Sequence, residues 1–171
     1  DEFFVRHALL LDTFAGEEHK AAFEEAVSVA ASFACTVATR ESLLDLLFVG
    51  TQAVCVTTGR GVGQVEQALE ALAGVQLNTG RSFTALEELV MRHAGAVCGC
   101  VFVLLQWDTA RRELVRKLES RGLPVVVLLI TDPADNKRAK TVPAAERTEH
   151  FHILETGRID EGLQILGKEF P

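Results

Sequence analysis

The stretch Ala8-Leu9-Leu10-Leu11-Asp12-Thr13-Phe14-Ala15-Gly16-Glu17 decides the fold. An apolar run that ends in aspartate and passes through a glycine into a helical segment reads as the first strand of an open α/β sheet. The pattern predicts a strand over 7–12. It places the carboxylate of Asp12 at the strand's carboxyl end, where such sheets put their ligand sites. Hydroxyl side chains at the second and fourth positions after Asp12 would make a metal site, but Phe14 and Gly16 stand there.

Working outward, the next segment predicts a helix over 18–39, with Phe23, Ala26, Val27, Ala30, Phe33, Ala34 and Val37 at helical spacing. Between Ala26 and Ala38 its polar residues are Ser28, Ser32 and Thr36, none charged, so this helix is expected to be covered on most sides. Strands over 43–49 and 53–57 are joined by Gly50-Thr51-Gln52, which makes an antiparallel hairpin. Helices are expected over 64–73 and from Ser82 to His93. A buried strand over 99–106 is closed by Asp108, and Asp108 or Thr109 can cap the helix over 111–120 that Gly122 stops. A strand over 124–131, a long polar loop over 133–149, a short strand over 151–154 and a helix over 159–166 complete the chain. This alternation, with one early hairpin, predicts a mainly parallel sheet with helices on both faces and one antiparallel edge strand.

At 171 residues the chain is one domain by default. The 48% hydrophobic and 24% charged residues match an ordinary globular domain. Lysine and arginine number 17 against 24 acidic residues, a net charge of -7, which disfavours a nucleic-acid partner. No apolar run is as long as the roughly 18 residues of a membrane helix, and no signal peptide is visible, so no direct membrane insertion is expected of this stretch. It runs from Asp1 straight into a strand without an initiator Met, and is expected to be a piece of a longer protein. Cys35, Cys55, Cys98 and Cys100 all lie in apolar runs and form no C-x-x-C pair, so they read as small buried hydrophobes in a reducing compartment.

Several motifs compete for function. Gly59-Arg60-Gly61-Val62-Gly63 tempts a Rossmann-type nucleotide-binding reading, but the sixth position of that fingerprint is Gln64 and the loop follows the hairpin, not the first strand. His150 and His152 share a strand face without a third metal ligand at suitable spacing. Cys98 and Cys100 likewise share a face and read as packing. No nucleophile elbow is present, and no Cys or Ser has a visible base partner. Trp107 reads as core or as a partly exposed anchor. Asp12 and Asp108 both end buried parallel strands. If the strand order reverses between those strands, the two carboxylates flank one crevice and can hold a hard cation or do acid–base work; otherwise each caps the helix after it.

The order of elements resembles the von Willebrand factor A domain. More specifically the chain resembles the bacterial domain-of-unknown-function 58 family. The resemblance rests on Leu10-Leu11-Asp12-Thr13-Phe14, on Phe23 to Ser32, on Asp45-Leu46-Leu47-Phe48-Val49-Gly50, and on Val103 to Asp108 with Arg111, Arg112, Leu114, Val115 and Leu118. It implies a Rossmann-like three-layer α/β/α fold with a six-stranded sheet, formed by residues 1–171 as a single domain. It further implies a bacterial parent protein with membrane helices ahead of this domain, which would face the cytoplasmic side of the inner membrane beside a MoxR-type AAA+ ATPase.

In A-domain relatives a strand-end Mg²⁺ completes its coordination with a partner carboxylate. Carried over, Asp12 matches the first aspartate, Thr79 (or Ser82) the loop threonine and Asp108 the later aspartate, while Phe14 and Gly16 replace both serines. The resemblance thus implies a degenerate metal-ion-dependent adhesion site, with a weak Mg²⁺ site at Asp12, Thr79 and Asp108 at most. It points to a non-catalytic protein-interaction module with Asp12, Phe14, Arg60, Thr79, Arg81, Trp107 and Asp108 as candidate partner contacts. The alternatives are a divalent-metal-dependent binder or hydrolase using Asp12 and Asp108, and a nucleotide-binding domain.

Overall fold

The computed structural model describes residues 5–37, 42–59, 62–134, 143–146 and 148–169. Six strands form one sheet: β1 (Val5–Leu11), β2 (Ser42–Val49), β3 (Ala53–Thr58), β4 (Gly99–Leu104), β5 (Val125–Thr131) and β6 (His150–Glu155), in the order β3-β2-β1-β4-β5-β6. All neighbours are parallel except β2 and β3, the expected hairpin, so β3 is an antiparallel edge strand. The helices are α1 (Lys20–Val37), α2 (Val62–Ala73), α3 (Thr84–His93), α4 (Thr109–Ser120) and α5 (Ile159–Glu169). Short 3₁₀ turns lie at Glu17–His19, Ala94–Ala96 and Ala144–Glu146, the last inside the expected polar loop.

Strand alternation sorts the core into two layers. Leu9 and Leu11 of β1 point to the face covered by α1, α2 and the start of α5, where Phe23, Ala26, Ala68, Leu72 and Ile159 pack. Ala8 and Leu10 point to the face covered by α3 and α4, where Leu86, Leu89, Leu114 and Leu118 pack against Phe102. This two-sided burial explains why the central strands are continuous apolar runs rather than alternating ones. Gly122, at φ 82°, ends α4 in the left-handed conformation that glycine adopts without steric cost.

Two expectations are corrected. The uncharged flank of α1 is not covered: Ser28, Ser32, Cys35 and Thr36 are exposed. The hydroxyls of Ser28, Ser32 and Thr36 donate to the carbonyls of Glu24, Ser28 and Ser32, so their polarity is met by the helix itself rather than by another element. Nor are the cysteines uniformly buried. All four are free thiols, but Cys35, Cys55 and Cys98 are exposed and Cys100 alone is buried. The apolar runs around them sit on an outer helix face, on the edge strand and just before β4, where neighbours cover only part of each run.

Thiol labelling checks this placement. The thiolate is the reacting species. Burial pushes the Cys100 thiol up to about 11, and burial followed by the nearby Asp45 raises Cys55. Near pH 8, Cys35 and Cys98 are expected to react promptly with an aromatic disulfide and Cys55 more slowly. Cys100 is expected to react only in denaturant; its prompt labelling in the folded protein would contradict the core described above.

Candidate functional site

The strand order reverses between β1 and β4, which are adjacent, so the carboxyl ends of these two strands form the switch point of the sheet. Asp12 stands there. Its backbone N–H still pairs with the carbonyl of Val103 at 2.9 Å, and its position two residues beyond Leu10 aims the side chain at the α4 face. The carboxylate is 0% exposed.

That carboxylate accepts four hydrogen bonds. Oδ1 takes the backbone N–H of Phe14 at 3.0 Å and Arg111 Nη2 at 3.0 Å; Oδ2 takes the backbone N–H of Leu105 at 3.1 Å and Arg111 Nε at 2.7 Å. An ionised carboxylate offers about four lone-pair positions. All are therefore used, half of them by a bidentate guanidinium fork.

Arg111 comes from the first turns of α4 and is itself only 3% exposed. Besides gripping Asp12, it donates from Nη2 to the carbonyl of Phe14 and from Nη1 to Asp108 Oδ2, both at 2.6 Å. Its guanidinium lies 4.7 Å from the centroid of the Phe83 ring, a cation–π placement. Burial works against its charge, but the attraction of Asp12 and its hydrogen bonds, followed by those of Asp108, outweighs burial and holds the pKa above the usual arginine value. Asp108 is the N-cap of α4: its Oδ1 accepts the backbone N–H of Arg111 at 3.0 Å, while its side chain stays 45% exposed. Asp12, by contrast, caps no helix.

The structure places the other candidate residues as follows. Phe14 is buried with its ring edge-on to Phe83, centroids 6.0 Å apart. Thr13 turns away from Asp12 and donates its hydroxyl to the carbonyl of Val49 at 2.7 Å. Asn78 locks that side: its amide reaches Thr13 Oγ1 and the carbonyls of Val49 and Gly50, and its backbone N–H donates to the Thr13 carbonyl at 2.8 Å. Thr79, next to it, is exposed. Arg81 donates to the carbonyl of Thr51 at 2.9 Å, bracing the hairpin turn. Trp107 is half-buried, edge-on to Phe151 at 5.0 Å, and its indole N–H donates to the carbonyl of Glu146 at 3.1 Å.

Arg60 and Gly61 lie outside the described residues. The strand leading to them runs the wrong way for the strand-end site: Thr58 pairs with Leu44, near the amino end of β2. β3 thus ends at the amino end of the parallel strands, the end opposite Asp12, whereas a Rossmann nucleotide site needs the carboxyl ends.

The residues at the strand ends do not fit a divalent ion. Mg²⁺ and Mn²⁺ need several open oxygen donors. Asp12 has no open lone pair, Phe14 and Gly16 supply no side-chain oxygen, and the buried guanidinium of Arg111 adds a repelling positive charge. Among the described residues no group of three or more His, Cys, Asp or Glu side chains converges on a metal position.

Two residues that organise the site, Arg111 and Asn78, were not among those singled out for it. Arg111 carried two local signals: its place three residues after the capping Asp108, which puts its guanidinium back over the cap, and its alignment with the buried stripe Leu114, Val115 and Leu118. Asn78 carried none, because its partners are distant in sequence.

No family model and no curated protein matches the chain. Solved structures do match. A von Willebrand factor type A protein from Catenulispora acidiphila superposes with TM-score 0.60 at 13% identity, over 95% of this chain and 42% of that one. Manganese-loaded Plasmodium vivax TRAP protein gives TM-score 0.60 at 14% identity, over 95% of this chain and 72% of that one. The SpRpn10 VWA domain gives TM-score 0.51 at 10% identity, over 99% and 96%. The chain thus spans less than half the length of the first of these proteins. At such identities the likeness is one of fold.

Proposed function

We propose that this von Willebrand factor A-like domain is a non-catalytic protein-interaction module that docks its partner on the loops at the carboxyl ends of the strands. One observation carries the reading: Arg111 and two backbone amides use up the buried Asp12 carboxylate, and Arg111 also holds Asp108 from its inner side, so the position between them that a catalytic or metal site would use is filled. What remains open to a partner is the rim. Thr79 and Asp108 are exposed there, and Arg81 lies on the surface across the hairpin turn. Phe14 acts from beneath, as packing, and Trp107 holds the segment around Glu146.

The resemblance to the domain-of-unknown-function 58 family supports a finer reading. The partner is a MoxR-type AAA+ ATPase, and the chain is one domain of a membrane-associated bacterial protein, facing the cytoplasmic side of the inner membrane. Among the described residues no helix is long and apolar enough to cross a membrane, so in this reading the anchor belongs to another part of the parent.

Binding of the purified domain to a purified MoxR-type ATPase tests the proposal. Saturable binding is expected, and a Thr79→Glu/Arg81→Glu variant is expected to weaken it about tenfold, as for loss of a central contact pair. Equal binding by the variant would remove the strand-end rim from consideration. Absence of binding by the unaltered domain would remove the ATPase.

A further inference from the structure

We infer that Arg111 is the resident cation of the strand-end site, bound between Asp12 and Asp108 in place of the divalent ion that the von Willebrand factor A resemblance implies. The geometry shows the substitution atom by atom. One guanidinium is bonded to Asp12 through Nε and Nη2 and to Asp108 through Nη1, so both carboxylates converge on a single positive centre. The remaining Nη2 bond goes to the Phe14 carbonyl, tying down the backbone at a position where the family pattern has a metal-ligating serine. The Phe83 ring lies over the guanidinium and Phe14 packs edge-on to Phe83, so the wall beside Arg111 is aromatic, which suits a flat cation and offers nothing to a hydrated ion.

This exchange changes what the site can recognise. A divalent ion between two carboxylates is neutral overall and keeps open positions that attract an incoming acid. A guanidinium between the same two carboxylates leaves a net negative charge, and its own donors point inward. The outermost group is Asp108, partly exposed and acidic. A partner therefore meets an acceptor here rather than an electrophile, and no added ion is needed to complete the site. The inference concerns the cation alone and holds whether or not the rim docks the ATPase.

Manganese titration followed by electron paramagnetic resonance, with thermal melting in parallel, tests it. The unaltered domain is expected to leave Mn²⁺ free at about 1 mM and to melt identically with and without EDTA. Arg111→Ser uncovers both carboxylates. It is expected to bind Mn²⁺ with a dissociation constant below about 1 mM and to gain melting temperature from it, and adding Asp12→Asn is expected to abolish both effects. Millimolar or tighter binding by the unaltered domain that Asp12→Asn removes would overturn the inference. So would a folded Arg111→Ser that stays silent, since Arg111 would then be an ordinary ion pair on no cation position. Should Arg111→Ser not fold, Arg111→Lys keeps the charge without the fork. It is expected to melt lower and remain indifferent to Mn²⁺, and stabilisation of the lysine variant by Mn²⁺ would equally overturn the inference.

Discussion

Replacing Arg111 by alanine is expected to lower the unfolding free energy by about 3–5 kcal/mol, the usual cost of breaking a buried ion pair from one side. For a domain of this size that corresponds to a loss of about 6–20 °C in Tm. The size follows from what is left behind. Asp12 is fully buried and would keep only its two backbone donors, from Phe14 and Leu105, to hold an uncompensated charge. The Phe14 carbonyl would lose its partner, and Asp108 would lose the cation beside its capping oxygen. Surface ion pairs behave differently. Arg158–Glu161, with both side chains about two-thirds exposed, should change stability by less than about 1 kcal/mol when broken. Removing both buried partners, as in Asp12→Asn/Arg111→Ala, takes away the orphaned charge as well. Its loss should fall short of the sum of the two single losses by about 2 kcal/mol, the coupling expected of directly bonded residues. Urea denaturation of the four proteins measures this cycle. An Arg111→Ala loss below about 1 kcal/mol would mean that the pair is not the buried tie that its geometry describes.

How much of this was legible beforehand depends on how far apart the interacting groups lie in the chain. Local signals read correctly: the apolar run into Asp12, the hairpin at Gly50-Thr51-Gln52, the cap at Asp108 and the stop at Gly122 each depend on a few neighbouring residues. The switch point between β1 and β4 was legible as a condition, because the hairpin sends β2 and β3 to one side and β4 must then find β1's other edge.

What was not legible is side-chain pairing between groups far apart in the chain. Arg111 meets Asp12 across 99 positions, and Asn78 meets Thr13 across 65. The helical period does place Arg111 on the buried stripe of α4, in line with Leu114, Val115 and Leu118, but nothing local names Asp12 as its partner. Asn78 lies in a loop, where no period applies. The cysteines failed for the converse reason. Their apolar neighbourhoods were real, but burial on an edge strand or outer helix face is decided by what lies next to it.

Phe102→Ala is expected to cost a similar amount, about 3–5 kcal/mol, by an unrelated mechanism. Phe102 lies in β4, fully buried, paired to Leu10 on one side and Val127 on the other, and its ring fills the layer between the sheet and helices α3 and α4. Truncation removes most of a large apolar side chain. It leaves a cavity that the parallel ladders on both sides keep from collapsing, because β4 cannot shift without breaking pairing with β1 and β5. The two substitutions separate in their signatures. Phe102→Ala leaves the Asp12–Arg111–Asp108 triad charged and satisfied, so the variant should stay indifferent to Mn²⁺ even at reduced stability, and a small apolar molecule that fills the cavity should restore part of the loss. Arg111→Ala should respond in the opposite way, unmoved by apolar ligands. Melting each variant with benzene and with Mn²⁺ tells the two apart. A Phe102→Ala domain that gained stability from Mn²⁺ would show that the strand-end ion pair depends on core packing beneath it, contrary to the separate support that Asp12 receives from Arg111 and from the backbone of Phe14 and Leu105.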